Sequence, residues 1–477
     1  MRHPLPTHSL FAPLRLLSAP ARYDAEDAAC DDRLSEVCEV EPAPPAVDLP
    51  RTYVCPGEKH AIPRSIHLAR LAAFYPNCRQ CEHRNDTGQL PRSKVGRLEL
   101  SARRVEPESP FRDDGIRGAY LNQLTRQSAA KLAAAVAYRL WADQPLLGIN
   151  SVQSPEATSP ASCRGGGPTV VVGQDSRASS PDLCVGLSES LRRMGCEVVD
   201  VGRVSRPCLI FAVDHLLAAG GLYVTGSGCP DSWTGIDVIG AGGIPWSKGG
   251  TLDEIEGHYR RGVSRSTRQG GSQRFFDAAV PYRANLLKHF QEISPLRVVC
   301  ACPEAAVIDS LTSLFDGLPC EFVLHPLALV KGGGTAGREP DAAGIGETIR
   351  QASADCGVFI GEDGASLRLF TRDGRPAPLA DLLRRLLRRA GQVRSAVPVT
   401  ADAVAACRET LAGLGFAAEA VGTSSEAVAR WMHENSPPLG FQSGERIWFR
   451  DTFPQCDALV TLGRVLRTFR SDESDDA

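Results

Sequence analysis

No run of roughly 18 uninterrupted apolar residues, the length a membrane-spanning helix needs, occurs in this sequence. Its proline- and arginine-containing start lacks the compact apolar centre of a secretory signal, so the expected setting is the cytoplasm. An excess of charge of one sign is missing too. The 53 Lys and Arg against 56 Asp and Glu leave a net charge of -3, so no overall cationic field draws the chain to nucleic acid or an anionic membrane. Small molecules or proteins are the expected partners. The 16 cysteines are scattered irregularly through 477 residues, unlike the dense framework of a small secreted domain, and most are expected to be reduced and buried. What is present is ordinary globular sequence, 43% hydrophobic and 23% charged, which excludes wholesale disorder and fibrous repeats. At roughly 150 residues per domain the length allows about three domains, each able to bury a core.

Residues 1–50 mix proline, alanine and both charges without a sustained period and read as a flexible arm. Further along, β-branched runs alternate with amphipathic ones. Thr169 to Gly173 reads as a strand, and Leu183, Leu187, Leu191 and Met194 recur at helical spacing after it. Glu197 to Val201 is a second strand, Pro207 opens a second helix, and Leu222 to Thr225 is a third strand. This β-α-β-α-β order implies a parallel sheet. The Gly/Ser/Arg stretch Gly262 to Ser272 reads as a linker, after which strands are expected at Leu296 to Ala301, Glu321 to Leu324 and Gly357 to Ile360. A third round follows: the amphipathic run Leu379 to Ala390, a strand at Val397 to Val399, a helix at Ala401 to Leu414 and a strand at Ala417 to Val421. A last apolar helix, Ala458 to Phe469, meets an acidic tail at 471–477.

Residues 51–90 form a separate Cys/His module. Cys55, then His60 and His67, then Cys78-x2-Cys81 and His83 supply the thiolate and imidazole donors that a tetrahedral structural zinc takes. Ile66, Ala69 and Ala73, with Leu71 and Phe74 on the adjacent face, mark a short helix between them. Cys55, Cys78 and Cys81 are the expected ligands, with the fourth from His60, His67 or His83. Three local cysteines are too few for an iron-sulfur cluster. A DNA-binding finger would need a basic recognition helix, which is missing. The plainer alternative is three unrelated reduced thiols beside surface histidines.

Four stretches in order, and a weaker fifth, resemble the α-D-phosphohexomutases, the family of phosphoglucomutases, phosphomannomutases and phosphoglucosamine mutases. Phe111 to Gly118, FRDDGIRG, is similar to the family's GTSGIRG. Gly173 to Pro181, GQDSRASSP, is similar to GRDTRPSSP. Tyr223 to Pro230, YVTGSGCP, with TGIDV at Thr234 to Val238, lies where the family has its TASHNP phosphoserine loop and NGIKV. Gly357 to Arg368 occupies the place of the metal loop DGDADR, and Gly440 to Glu445, GFQSGE, is a weaker match to the sugar-reading GEQSGH. The resemblance covers about 111–466 and implies three consecutive α/β/α domains with parallel-rich mixed sheets, at 98–262, 276–378 and 379–470. On this resemblance no counterpart of the family's fourth domain, with its phosphate-gripping loop, is expected after Phe469.

The resemblance also implies a chemistry, in which a phosphoserine exchanges a phosphoryl group with a hexose phosphate, assisted by Mg²⁺ on three loop aspartates. Such transfer is catalysed mostly by positioning and charge. Ser227 stands at the serine position with Arg117 as its catalytic companion, and Arg177, Gln442 and Ser443 are the expected substrate contacts. The three metal aspartates become Gly361, Asp363 and Ala365, and the loop-ending arginine becomes Ser366. Asp363 and Glu362 are left as weak Mg²⁺ ligands. Asp113, Asp114, Asp237 and Glu445 bring negative charge where the family has neutral or basic groups. Each carboxylate about 5 Å from a phosphate costs roughly 3 kcal/mol at an effective dielectric near 20. The expectation is a family member whose mutase chemistry is impaired or lost, acting as a phosphosugar-related binding or regulatory subunit. The alternatives are an active intramolecular phosphotransferase using Ser227 and a rebuilt acidic metal site of Asp113, Asp114, Asp237 and Asp363, or a zinc-module scaffold for a protein partner.

Overall fold

The structure is a computed structural model that describes residues 52–75, 77–78, 81–102, 109–143, 167–230, 232–265, 270–327, 341–388, 395–452 and 455–469. The expected arm at 1–50 and the acidic tail lie outside these residues. The chain forms two compact units that divide between Glu108 and Ser109.

The first unit holds a two-stranded antiparallel ribbon, β1 (Thr52–Tyr53) with β2 (Ile62–Pro63), then α1 (Arg64–Ala72) and α2 (Arg92–Ala102). Residue 98, expected to open the first α/β domain, falls inside α2, so that boundary moves to 108. The apolar reading of α1 also needs correcting: His67 and Leu71 form its buried side, whereas Ile66 is 44% exposed. A helix facing so small a core buries only one residue per turn.

In the second unit the first sheet comprises β3 (Phe111–Arg112), β4 (Gly115–Ala119), β5 (Thr169–Gln174), β6 (Glu197–Arg203), β7 (Gly220–Val224), β8 (Trp233–Gly240) and β9 (Gln273–Phe275), in the spatial order β3-β4-β8-β7-β5-β6-β9. β7, β5, β6 and β9 run parallel, and β8, β4 and β3 add an antiparallel margin. α3 (Arg126–Asp143), α4 (Ser180–Arg193), α5 (Arg206–His215) and α6 (Thr251–Arg261) accompany the sheet. The stretch Gly262 to Ser272 read as a linker does fall between α6 and β9, but it does not lead out of this domain, since β9 returns to the edge of the same sheet.

The second sheet, β11-β10-β12-β13, uses β10 (Arg297–Ala301), β11 (Glu321–Leu324), β12 (Cys356–Ile360) and β13 (Leu367–Phe370). The third, β15-β14-β16-β17, uses β14 (Ala396–Thr400), β15 (Ala417–Val421), β16 (Leu439–Gln442) and β17 (Arg446–Phe449). Both have three parallel strands and one antiparallel edge. Their helices are α7 (Ala279–Leu287), α8 (Ala305–Phe315), α9 (Ala342–Ala352), α10 (Leu379–Leu387), α11 (Val404–Gly413), α12 (Ser425–Asn435) and α13 (Ala458–Leu466). The expected parallel strands are present, and the antiparallel margins follow from hairpins whose short turns the alternation did not reveal.

On α4, Leu183, Leu187 and Leu191 are fully buried, each contributing roughly 1.5–3 kcal/mol of transfer free energy. They share an apolar cluster with Ala129, Ala133 and Ala137 of α3, and the two helices pack so closely that a side chain on Gly186 would strike the Arg126 carbonyl. One apolar cluster runs from Val171 and Val199 in the first sheet through Val298 and Val358 in the second to Val397 and Val399 in the third. The three sheets therefore share a core, which holds the loops at their carboxyl ends in fixed register.

Candidate functional site

Open parallel sheets present ligand loops at the carboxyl ends of their strands, and the functional candidates lie there. Asp175, just past β5 and 2% exposed, accepts hydrogen bonds from the Ser180 hydroxyl (2.5 Å), the Arg177 amide (3.1 Å) and the Gly226 amide (2.9 Å). It thereby pins the loop that follows β7. In that loop Thr225 is buried, Ser227 is half-buried and its amide donates to Thr225 Oγ1 at 3.0 Å, and Gly228 adopts φ +74°.

Around this loop each arginine is engaged by a carboxylate. Arg117 on β4 lies 2.7 Å from Asp237 Oδ1, and Arg206 at the start of α5 lies 2.9 Å from Asp237 Oδ2. Burial opposes the Arg206 cation, but the adjacent Asp237 more than offsets this and its pKa rises. Arg177 donates from Nε and Nη2 to Glu362 Oε1 at 3.1 and 2.7 Å, and to the carbonyls of Cys229, Pro230 and Trp233. This clamp joins the first sheet's loops to the second's.

Asp363, 6% exposed in the loop after β12, accepts from the Ala365 amide at 3.0 Å and from Nε and Nη2 of Arg446 at 3.0 and 2.6 Å. Burial would raise its pKa, but Arg446, the Ala365 amide and Arg206 together lower it to about 2. Glu362 is held by Arg177, Gly361 and Ala365 offer no side-chain donor, and Ser366 leans on Asp363 at 3.5 Å. A hard cation needs several free oxygens, and here a guanidinium fills the coordination sphere of the one retained aspartate. The residues present do not fit Mg²⁺.

The proposed four-carboxylate metal site is not assembled either. Asp114 receives the Ser247 hydroxyl (2.6 Å), the amide and hydroxyl of Ser425 (3.1 and 3.0 Å) and Gln442 Nε2 (3.3 Å). Burial works against its ionisation, yet these donors, with Arg446 and Arg206 nearby, hold its pKa below the usual carboxylate range. Asp237 belongs to Arg117 and Arg206, Asp363 to Arg446, and Asp113 is exposed. Gln442 is 2% exposed and bonded to Ser425 as well as Asp114, and the Ser443 amide donates to Thr400 Oγ1. The Gln442 side chain, expected to meet a sugar, thus serves structural bonds. Glu426 on α12 accepts from the Ser247 amide at 2.7 Å, and Ser176 donates to Glu304 at 2.9 Å, so all three sheets are stitched through this cleft.

Asp175, Arg206, Glu304, Glu426 and Arg446 were missed by sequence reasoning. Asp175 and Arg446 lie inside or just beyond motif stretches and were recoverable from their positions at strand ends. Arg206, Glu304 and Glu426 begin helices far from any motif, and only the fold brings them here.

The sequence profile described as "Phosphoglucomutase/phosphomannomutase, alpha/beta/alpha domain I" matches residues 156–265. A phosphomannomutase/phosphoglucomutase of Pseudomonas aeruginosa is 23% identical over 379 residues, covering 77% of this chain and 76% of that protein. A phosphoglucosamine mutase of Deinococcus deserti is 23% identical over 312 residues, with 63% and 69% covered. Among solved structures, a phosphoglucomutase/phosphomannomutase family protein from Burkholderia thailandensis superposes with a TM-score of 0.60 at 22% identity, over 75% of this chain and 76% of that one. Residues 156–265 thus match a phosphohexomutase domain, and over about three quarters of its length the chain is similar to phosphohexomutases.

In this phosphohexomutase homologue, the loops expected to carry the family's motifs are bonded within the chain. The phosphoserine-loop position is held as a turn by Asp175. The metal-loop position closes on Arg446 and the sugar-loop position on Asp114. No described helix is long and apolar enough to cross a membrane.

Outside the phosphohexomutase scaffold, the first unit gathers part of the Cys/His set. Cys55, Cys78 and Cys81 are buried, His67 is fully buried, His83 is half-buried and His60 is exposed. Burial, then the hydrogen bond and charge of Cys81, push the Cys55 thiol up; burial and Cys81 do the same to Cys78. Among the described residues no three His, Cys, Asp or Glu side chains already stand as ligands about one point.

Proposed function

We propose that this phosphohexomutase homologue has impaired or lost mutase chemistry and acts as a phosphosugar-related binding or regulatory subunit. The observation that carries the reading is the Asp363–Arg446 pair, a cation-binding carboxylate closed by an internal cation. The anion-binding side supports it as well. A phosphate drawn to Arg117 or Arg177 must compete with Asp237 or Glu362 at contact distance, where opposite charges about 4 Å apart attract by roughly 4 kcal/mol at an effective dielectric near 20. Binding that merely replaces one counter-charge with another leaves little surplus for holding a phosphoryl group in line.

The test is incubation of the purified chain with glucose 1,6-bisphosphate and Mg²⁺, followed by intact mass and by assay of glucose 1-phosphate conversion to glucose 6-phosphate. The expected outcome is no phosphate retained on Ser227 and no conversion. A phosphate abolished by Ser227→Ala, together with turnover, would overturn the proposal in favour of an active phosphotransferase. Binding without turnover, read by calorimetry with a hexose phosphate, is the expected signature of the subunit role.

A further inference from the structure

The first unit has little to hold it together by packing. Its apolar cluster consists of Cys55, Ile62 and Cys81 with Tyr53 against them, so thiols make up much of the core itself. Units of this size normally need a staple such as a disulfide or a metal. Cys55 opens a turn in which Gly57, at φ +88°, lets the Glu58 amide reach back to the Cys55 carbonyl at 3.0 Å. Across from it, the Cys81 amide donates to the Cys78 carbonyl at 3.4 Å and the Arg84 amide to the Cys81 carbonyl at 3.1 Å. Two tight turns therefore carry the three buried thiols, with Cys81 hydrogen-bonded to Cys55 and Cys78 near enough to act on both through its charge, although the side chains do not yet converge on one point.

His67 projects from α1 toward Cys55. Its Nε2 lies 3.0 Å from the Asp86 carbonyl oxygen, which can only accept, so Nε2 carries the proton. That leaves Nδ1 as a lone pair, and Nδ1 is 3.9 Å from Cys55 Sγ. Donors at about 2.3 Å (sulfur) and about 2.1 Å (nitrogen) from a tetrahedral zinc are about 3.6 Å apart, so this pair needs only a few tenths of an ångström of closure. The ring is fixed from outside as well. Tyr53 packs on it at 4.6 Å between centroids, and the Asp86 carboxylate is gripped by Arg64 Nε and Nη2 at 3.0 and 2.8 Å and by the Tyr53 hydroxyl. A metal-bound histidine whose second nitrogen donates to a carbonyl is the usual supporting arrangement. His60 is exposed and His83 lies against the other neighbour position of Tyr53, at 4.8 Å.

We propose that Cys55, Cys78, Cys81 and His67 Nδ1 bind one structural zinc ion, which closes the first unit. The four donors are those that zinc prefers, they leave no open position for substrate, and the burial of all four excludes water. Binding draws the thiols in as thiolates and releases their protons.

The experiment uses the full chain, isolated without chelator, with zinc measured by plasma emission. About one zinc per chain is expected, lost in Cys81→Ser and in His67→Ala, and kept in His60→Ala and His83→Ala. Arg64→Ala, which loosens the Asp86 support, should weaken zinc binding about 10–100-fold. Because ligand variants can unfold the unit for other reasons, the wild-type chain stripped of metal is titrated with Co²⁺. The expected spectrum has a thiolate-to-cobalt charge-transfer band and intense visible bands of tetrahedral cobalt, both bleached by Zn²⁺. Metal-free protein with no such bands overturns the proposal. So does a Cys55–Cys81 disulfide in the isolated chain, or zinc that survives His67→Ala and leaves with His60→Ala or His83→Ala.

Discussion

Replacing Arg446 by methionine keeps much of its stem and removes the guanidinium that satisfies Asp363. Removing one partner of a fully buried ion pair costs about 3–5 kcal/mol, because the other charge is stranded. Asp363 is 6% exposed, but a third of the Arg446 side chain remains accessible. Solvent screening therefore brings the expected loss down to about 2–3 kcal/mol. Asp363→Asn alone should cost less, since the orphaned arginine can turn to water. The double variant should regain much of the Arg446→Met loss, as paired charges replaced by neutral groups often cost little. Urea unfolding of the four proteins gives the coupling energy, expected at about 2 kcal/mol. A coupling below about 0.5 kcal/mol, with the two losses simply adding, would refute the claim that Arg446 occupies the cation position of this loop.

Stability should respond to acid in two separate limbs. Asp363 titrates at about 2 when folded against 3.8 as its ordinary value, so its contribution, about 2 kcal/mol, is complete above pH 4 and disappears as the pH falls toward 2. Asp457 is opposite in sign: burial raises its pKa to about 6, so the folded state favours its proton and stability declines as the pH rises from about 4 to 6. Urea midpoints across this range should show both limbs, and a slope between pH 4 and 6 that persists in Asp457→Asn would contradict the second assignment. Millimolar Mg²⁺ should leave the wild-type midpoint unchanged, and a rise with Mg²⁺ concentration would show that free oxygen ligands exist after all. Gly186→Ala should destabilise the first sheet's helical layer by about 1–3 kcal/mol, because the added methyl meets the rigid Arg126 carbonyl of α3; calorimetry checks this.

Much of the scaffold was legible because strand and helix periods report burial directly. The run at 169–173, the leucines of α4 and the strand at 417–421 all fall where periodicity placed them. Hairpin margins such as β12–β13 and β16–β17 were harder, since a turn joining two strands leaves no helical spacing to count. At the cleft, the motif stretches located Ser227, Asp363 and Gln442 but not their bonding partners. Arg446 is 83 residues from Asp363, Glu362 is 185 from Arg177 and Gln442 is 328 from Asp114. Adding up uncompensated carboxylates therefore predicted repulsion, whereas the structure engages Asp114, Asp237 and Glu445 and leaves Asp113 exposed. In the first unit, composition narrowed the histidine to three, and only the backbone carbonyl of Asp86 distinguishes their tautomers.

The interlocked charges of the cleft also bear on how such a sequence can drift. A substitution that frees Asp363, Glu362 or Asp237 for another partner first strands a desolvated ion, so each path back toward an open cleft begins with a loss of fitness for folding. Neutral wandering among homologues that share these pairs should change both members together or neither. The stitched cleft thus behaves as an evolutionary ratchet, easy to enter one contact at a time and hard to leave.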